Sequence, residues 1–409
     1  MRFFLGLLSL WTFTALSQSP IETILEQDEL LKTIAENPKY QVQIIYTQID
    51  RDKENKPTFK SFKYKVDGEL YFYPASTVKM PAAFLALEKL NQTNIIGLDA
   101  TSPLTIGANR EPQVPMAIDS TSADMKASIA QFVKKIFVVS DNDAYNRLYE
   151  FLGQGYFNET LQSKGYTETR ILHRLGPEGF PFGVKDNQFT NPFSFYNAQG
   201  NLIFHQGEVQ SRHRDNLILR NQVRGKAHVN KEDQLVAEPF DFSIKNFFSL
   251  QDLHDVLKAV MFPSNTSSYK RFNLKPSDYD FLYEWMSKLP KDSGMPSYES
   301  KPDNYVKFFS YGDQKDTQLP SSRKVFNKVG WAYGFLTDVS YIIDTDHEFE
   351  YLLAATIHVN ENETYNDGEY EYETIGMSFY GRLGRAFDEL EKERKRKFKP
   401  NFENLGLGL

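Results

Sequence analysis

The chain has 409 residues, 40% of them hydrophobic, with a formal net charge of -7 and no cysteine. That length allows one two-lobed domain or two ordinary ones, and the mixed, slightly acidic charge offers no basic surface for nucleic acid. With no disulfide framework or thiolate metal site to draw on, stability rests on a core for which 33 Phe and 23 Tyr are available.

Residues 1–17 read as a cleavable signal peptide: Arg2, an apolar run from Phe3 to Leu16, then the small-x-small pattern Ala15-Leu16-Ser17. Cleavage is expected near Ser17/Gln18, giving a periplasmic or secreted protein with no permanent membrane span. Recurring apolar positions predict a helix over 21–36. Alternation predicts strands at Tyr40–Tyr46 and Phe59–Val66, the second closed by the turn pair Asp67-Gly68.

Next comes Tyr73-Pro74-Ala75-Ser76-Thr77-Val78-Lys79-Met80-Pro81, leading into an apolar run that ends at Leu90. In a helix, residues three apart share a face, so Ser76 Oγ and the Lys79 ammonium would stand side by side as nucleophile and base. Ser-x-x-Lys also arises by chance, and Ser76 reads equally as a helix cap. The apolar run predicts a helix through the middle of a domain, which would hold its first turn rigidly.

Helices are expected at Met125–Phe137, Asp143–Leu152 and about 157–164. Between the first two lies Ser140-Asp141-Asn142, a tight junction that either caps the second helix or projects polar side chains into a cleft. Residues 180–248 hold short alternating stretches among polar turns and read as a β-rich insertion that roofs the cleft. Helices resume at Leu253–Met261 and from Ser277 to about Leu289. Three strands follow, at Val325–Gly330, Leu336–Asp344 and Phe349–Val359, then a helix over about 375–393 and a basic tail, 393–409. The first of these strands carries Lys328-Val329-Gly330-Trp331, in which Gly330 lets another backbone or a ligand approach closely.

Taken in order, Ser76-x-x-Lys79, Ser140-Asp141-Asn142 and Lys328-Val329-Gly330 resemble the motifs of the penicillin-recognising serine enzymes, class A β-lactamases above all. Asp143 to Leu148, Thr169-Arg170-Ile171 and Gly334 to Asp338 extend the resemblance over about 21–178 and 249–392. It implies an α+β fold: a five-stranded antiparallel sheet with flanking helices, built from both chain ends, plus an inserted all-helical lobe, within one domain of residues 18–392. It also implies that Ser76 is the acylated nucleophile, Lys79 its base or relay, and Ser140 a relay to the leaving group. Asn142 and Lys328 would bind substrate, with the N–H groups of Ser76 and Trp331 as oxyanion hole. No metal or other cofactor is implied.

Two departures stand out. Val329 replaces a hydroxyl residue that would donate to a substrate carboxylate. Where class A enzymes carry a deacylating glutamate, alignment puts Gly176, and the nearest carboxylate, Glu178, either serves the site or is an ordinary residue of the turn Gly176-Pro177-Glu178-Gly179. The reading is a monomeric serine hydrolase acting on a small β-lactam. The alternatives are a D,D-peptidase or esterase-like enzyme on a cell-wall peptide or other amide or ester, and a binding module on the same fold.

Overall fold

The computed structural model describes residues 18–403, so the expected signal segment and the end of the basic tail lie outside the described residues. The chain opens with two helices where one was expected, α1 (Pro20–Gln27) and α2 (Glu29–Glu36). Asp28 breaks them apart: its backbone is extended (φ -124°, ψ 111°) and its carboxylate caps the N–H groups of Leu30 and Leu31 at 2.9 and 3.1 Å.

Five strands form one antiparallel sheet: β1 (Gln43–Arg51), β2 (Pro57–Tyr64), β3 (Arg323–Ala332), β4 (Phe335–Asp344) and β5 (Phe349–His358). Their order is β3-β4-β5-β1-β2, so the N-terminal hairpin completes a sheet begun by the C-terminal strands. Period-two alternation sorts their side chains onto two cores. Ile44, Tyr46, Val325, Val329 and Leu353 pack toward α1, α2 and α9 (Ser378–Glu393). Ile45, Ile49, Phe326, Val339 and Leu352 pack toward α3 (Lys79–Thr93) and toward α7 (Leu250–Met261) of the opposite layer.

Helix α3 is buried on nearly every side, from Lys79 through Glu88. Each large apolar side chain so covered contributes about 1.5–3 kcal/mol, enough in sum to hold the first turn firmly. Around it stand α4 (Ile129–Val138), α5 (Asn142–Leu152) and α6 (Gln154–Ser163). Helix α8 (Pro276–Ser287) leads back toward β3. Among the described residues no helix is long and apolar enough to cross a membrane.

Residues 180–248 contain short strands that pair outside their own segment. Phe193–Tyr196 pairs with Leu104–Ile106, which adds a small sheet to the helical lobe. Phe247–Phe248 pairs with Thr169–Arg170, and Ala227–Val229 runs parallel to Thr364–Tyr365. The segment thus braces both halves of the molecule.

One close approach places β3 beside the turn that carries Ser76. A Cβ on Gly330 would lie 2.5 Å from Pro74 O, 2.7 Å from Ser76 N and 2.9 Å from Thr77 N, all backbone atoms that cannot swing aside. Gly330→Ala is therefore expected to destabilise the protein by about 1–3 kcal/mol, through overpacking. Urea unfolding of the variant beside the parent checks this, and an unchanged midpoint would contradict the contact.

Candidate active site

Ser76 lies in a 3-10 turn, Ala75–Val78, that runs into α3. Ala75 sits in the left-handed region (φ 46°), a conformation that costs a residue with a Cβ about 1–2 kcal/mol. The turn is tied at its base by Thr77, whose N–H and Oγ1–H both donate to Pro74 O, at 3.1 and 2.6 Å. Ser76 itself is half-buried and lines a cleft of about 710 Å³.

Lys79, one turn on, is fully buried. Its ammonium donates to Asn142 Oδ1 at 2.7 Å, to Ser140 Oγ at 3.3 Å, and to Ser140 O. A buried charge needs such partners, and the α4–α5 junction supplies them. There Ser140 is left-handed (φ 59°) and Asp141 caps α5, its Oδ1 accepting from Ala144 N at 2.8 Å. The junction therefore caps the helix and also feeds the cleft, which Ser140, Asp141 and Asn142 all line.

Lys328 reaches the same serine from β3, donating to Ser140 Oγ at 2.8 Å and to Val329 O at 2.8 Å. Burial, then the Lys79 charge, push the Lys328 ammonium well below the usual lysine range. Neither Lys328 nor Val329 lines the cleft: Lys328 is buried behind Ser140, and Val329 points through the sheet into the core that holds Phe308 and Leu336. Of the quartet on β3, Trp331 reaches the cleft and Gly330 packs under the Ser76 turn.

The loop after Thr169 is clamped to α5 by Asn146, whose Oδ1 accepts from Leu175 N at 2.7 Å and whose Nδ2 donates to Leu175 O at 2.9 Å. This puts Gly176 directly on Asn142. With φ 70°, a Cβ at Gly176 would lie 2.4 Å from Asn142 Nδ2, so that position has no room for a carboxylate side chain without a shift of the loop. Glu178 falls in the helical turn Gly176–Gly179, and its side chain lies outside the described residues.

Beside the loop, His173 stacks on Tyr73 at 6.2 Å between ring centres. Asn246 N donates to His173 Nε2 at 3.2 Å, so Nδ1 carries the proton it gives to Arg174 O at 2.5 Å. Burial, reinforced by Lys245, holds its pKa down to about 3.

The sequence reading missed most of the cleft wall. Tyr298, Lys301 and Tyr305 come from one loop, Asn366, Gly368 and Tyr370 from another, and Tyr73 and Tyr333 flank the Ser76 turn. Of residues 180–248, Phe180 lines the cleft, so the roof expected from that segment is instead a pair of walls from 297–305 and 366–370. No motif marks such loops, and their chemistry emerges only when they meet.

A family model described as the beta-lactamase enzyme family matches residues 27–381. Similar solved structures include an ancestral class A beta-lactamase, at 14% identity and a TM-score of 0.49, covering 90% of this chain and 99% of that one. The beta-lactamase of Streptomyces albus G is 12% identical, with a TM-score of 0.48 and coverage of 91% and 99%. PBP-A is 14% identical, with a TM-score of 0.47 and coverage of 90% and 96%. No curated protein matches the sequence.

The depressed His173 pKa has a consequence for stability. The unfolded chain binds a proton near the ordinary value of 6.5 and the folded one only near 3, so acidification through that window favours unfolding. Replacing the ring by His173→Gln should flatten the fall in urea midpoint between about pH 7 and pH 4 relative to the parent. Parallel slopes for the two proteins would show that His173 is not held neutral.

Proposed function

The chain belongs to the beta-lactamase enzyme family, and from that premise we propose that it is a serine hydrolase acylated on Ser76. The observation that carries the reading is the placement of Ser76 on the cleft one helical turn before a buried lysine whose ammonium is held by Ser140 and Asn142. Ser76 Oγ would add to a substrate carbonyl while its proton passes to Lys79, either to the neutral amine acting as base or to a relay in which Lys79 hands one of its own protons on to Ser140 as it takes the new one. Collapse of the tetrahedral intermediate breaks the bond to the leaving nitrogen or oxygen, which takes its proton through Ser140. Water then cleaves the Ser76 ester and regenerates the hydroxyl.

The backbone supports an oxyanion hole made by the N–H groups of Ser76 and Trp331, because the Gly330 contact brings β3 against the Ser76 turn. β-Lactams are the leading acyl donors. A peptide or ester substrate is the second reading, favoured by two observations: Gly176 stands where a deacylating carboxylate is expected, and Lys328 is withdrawn from the cleft. Asp141, the one described carboxylate lining the cleft, is engaged as a helix cap and accepts from Tyr298 OH at 3.3 Å. Deacylation is accordingly expected to be slow. The pattern of the first 17 residues supports a periplasmic or secreted site of action.

Intact-protein mass after incubation with a penicillin, a cephalosporin and an activated ester, followed in time with loss of the free compound, tests this. The parent should gain a persistent adduct, and rapid turnover of a β-lactam would return weight to an efficient β-lactamase. Ser76→Ala should not label at all, and a labelled Ser76→Ala protein would remove the nucleophile. Lys79→Met should slow acylation by about 10²–10⁴-fold, as loss of a positioned base does.

A further inference from the structure

A cation enters the cleft from a loop that none of the three motifs includes. Lys301 is exposed, lines the cleft with Ser76 and Trp331, and is the one cation among the described lining residues. Its ammonium lies 4.8 Å from the centre of the Tyr305 ring, which holds a cation by its π face without neutralising it. No carboxylate among the described residues lies within salt-bridge distance of it. Asp303, two residues on, is turned away, taking Lys291 Nζ at 2.7 Å and Leu319 N at 3.0 Å.

The loop is also fastened where it matters. Lys301 N donates to Tyr298 O at 3.0 Å, and Tyr298 OH donates to Asp141 Oδ2 in the Ser140 junction. The ammonium is thus carried on a turn docked onto the same element that supplies Ser140 and Asn142. Lys328, by contrast, donates to Ser140 Oγ and Val329 O and is covered. Val329 faces the opposite side of the sheet and has no hydroxyl, so the strand supplies none beside Lys328.

We propose that Lys301, and not Lys328, binds the anionic group of the substrate, making this cleft selective for acyl donors that carry a carboxylate on the side facing Tyr305. The assignment rests on acylation of Ser76. Lys328 keeps a different task, holding Ser140 and shaping the field around it. The aromatic side chains Tyr298, Tyr305 and Trp331 line the cleft around Lys301.

The test compares second-order rate constants for Ser76 acylation by two donors that differ in one group, a free carboxylate in one and its methyl ester in the other. The parent should favour the carboxylate by about tenfold, the range of a charge-assisted hydrogen bond, and the preference should shrink as salt is raised. Lys301→Met should bring the ratio near one, Lys301→Glu should invert it, and Lys301→Arg should restore it. Lys328→Met should slow both donors together. A ratio untouched by Lys301→Met and Lys301→Glu, or one abolished by Lys328→Met alone, overturns the assignment to Lys301 while leaving Ser76 in place. A parent that neither donor labels overturns the serine hydrolase reading itself, and the assignment with it.

Discussion

A lysine ammonium with no access to water must find acceptors inside the protein, and the site is built around that requirement. Lys79 is buried at the head of α3, and its acceptors come from another element, the junction between α4 and α5. At that junction Ser140 has a left-handed backbone and Asn142 stands at the start of α5. The cost of that conformation, about 1–2 kcal/mol, is small beside that of an unpaired buried charge. The same contacts lock the helical lobe against the turn that bears Ser76.

Two further buried lysines lie along β3 and beyond it. Lys328 shares Ser140 Oγ with Lys79. Lys307, on the far face of the sheet, donates to Met286 O, Val325 O and Asn327 Oδ1 at 3.0, 2.9 and 2.6 Å, and burial lowers its pKa to about 7. Asn327 in turn donates to Asp338, whose own carboxyl is pushed upward by burial. Burial, with the Lys79 and Lys307 charges nearby, therefore disfavours the charge on Lys328.

The cleft above this centre follows a different rule. Its walls come from loops between regular elements, 297–305 and 366–370, and they bring tyrosines and Lys301 rather than the motif lysine. A rigid floor with variable walls separates the chemistry from the choice of substrate. The segment 180–248 contributes indirectly, through strands that brace Leu104–Ile106, Thr169–Arg170 and Thr364–Tyr365.

The sequence alone carried the five strands, the buried helix after Ser76 and the three motifs, because alternation, helical spacing and local turn chemistry are properties of neighbouring residues, whereas the union of the strands in one sheet was implied by the family resemblance. It also marked Gly176 as a departure, and the structure supplies the reason: Asn146 clamps the loop so that Gly176 rests on Asn142. Spacing could not show that Asp28 would split the first helix, since a capping aspartate and a mid-helix aspartate look alike until the chain turns. Nor could it say which way β3 would face. Whether Lys328 opens to solvent or lies behind Ser140, and whether Val329 meets substrate or the core, depends on what packs against each side of the strand. Those facings, and the meeting of two distant loops over Ser76, were decided by the tertiary structure, because only packing brings residues far apart in sequence into one field.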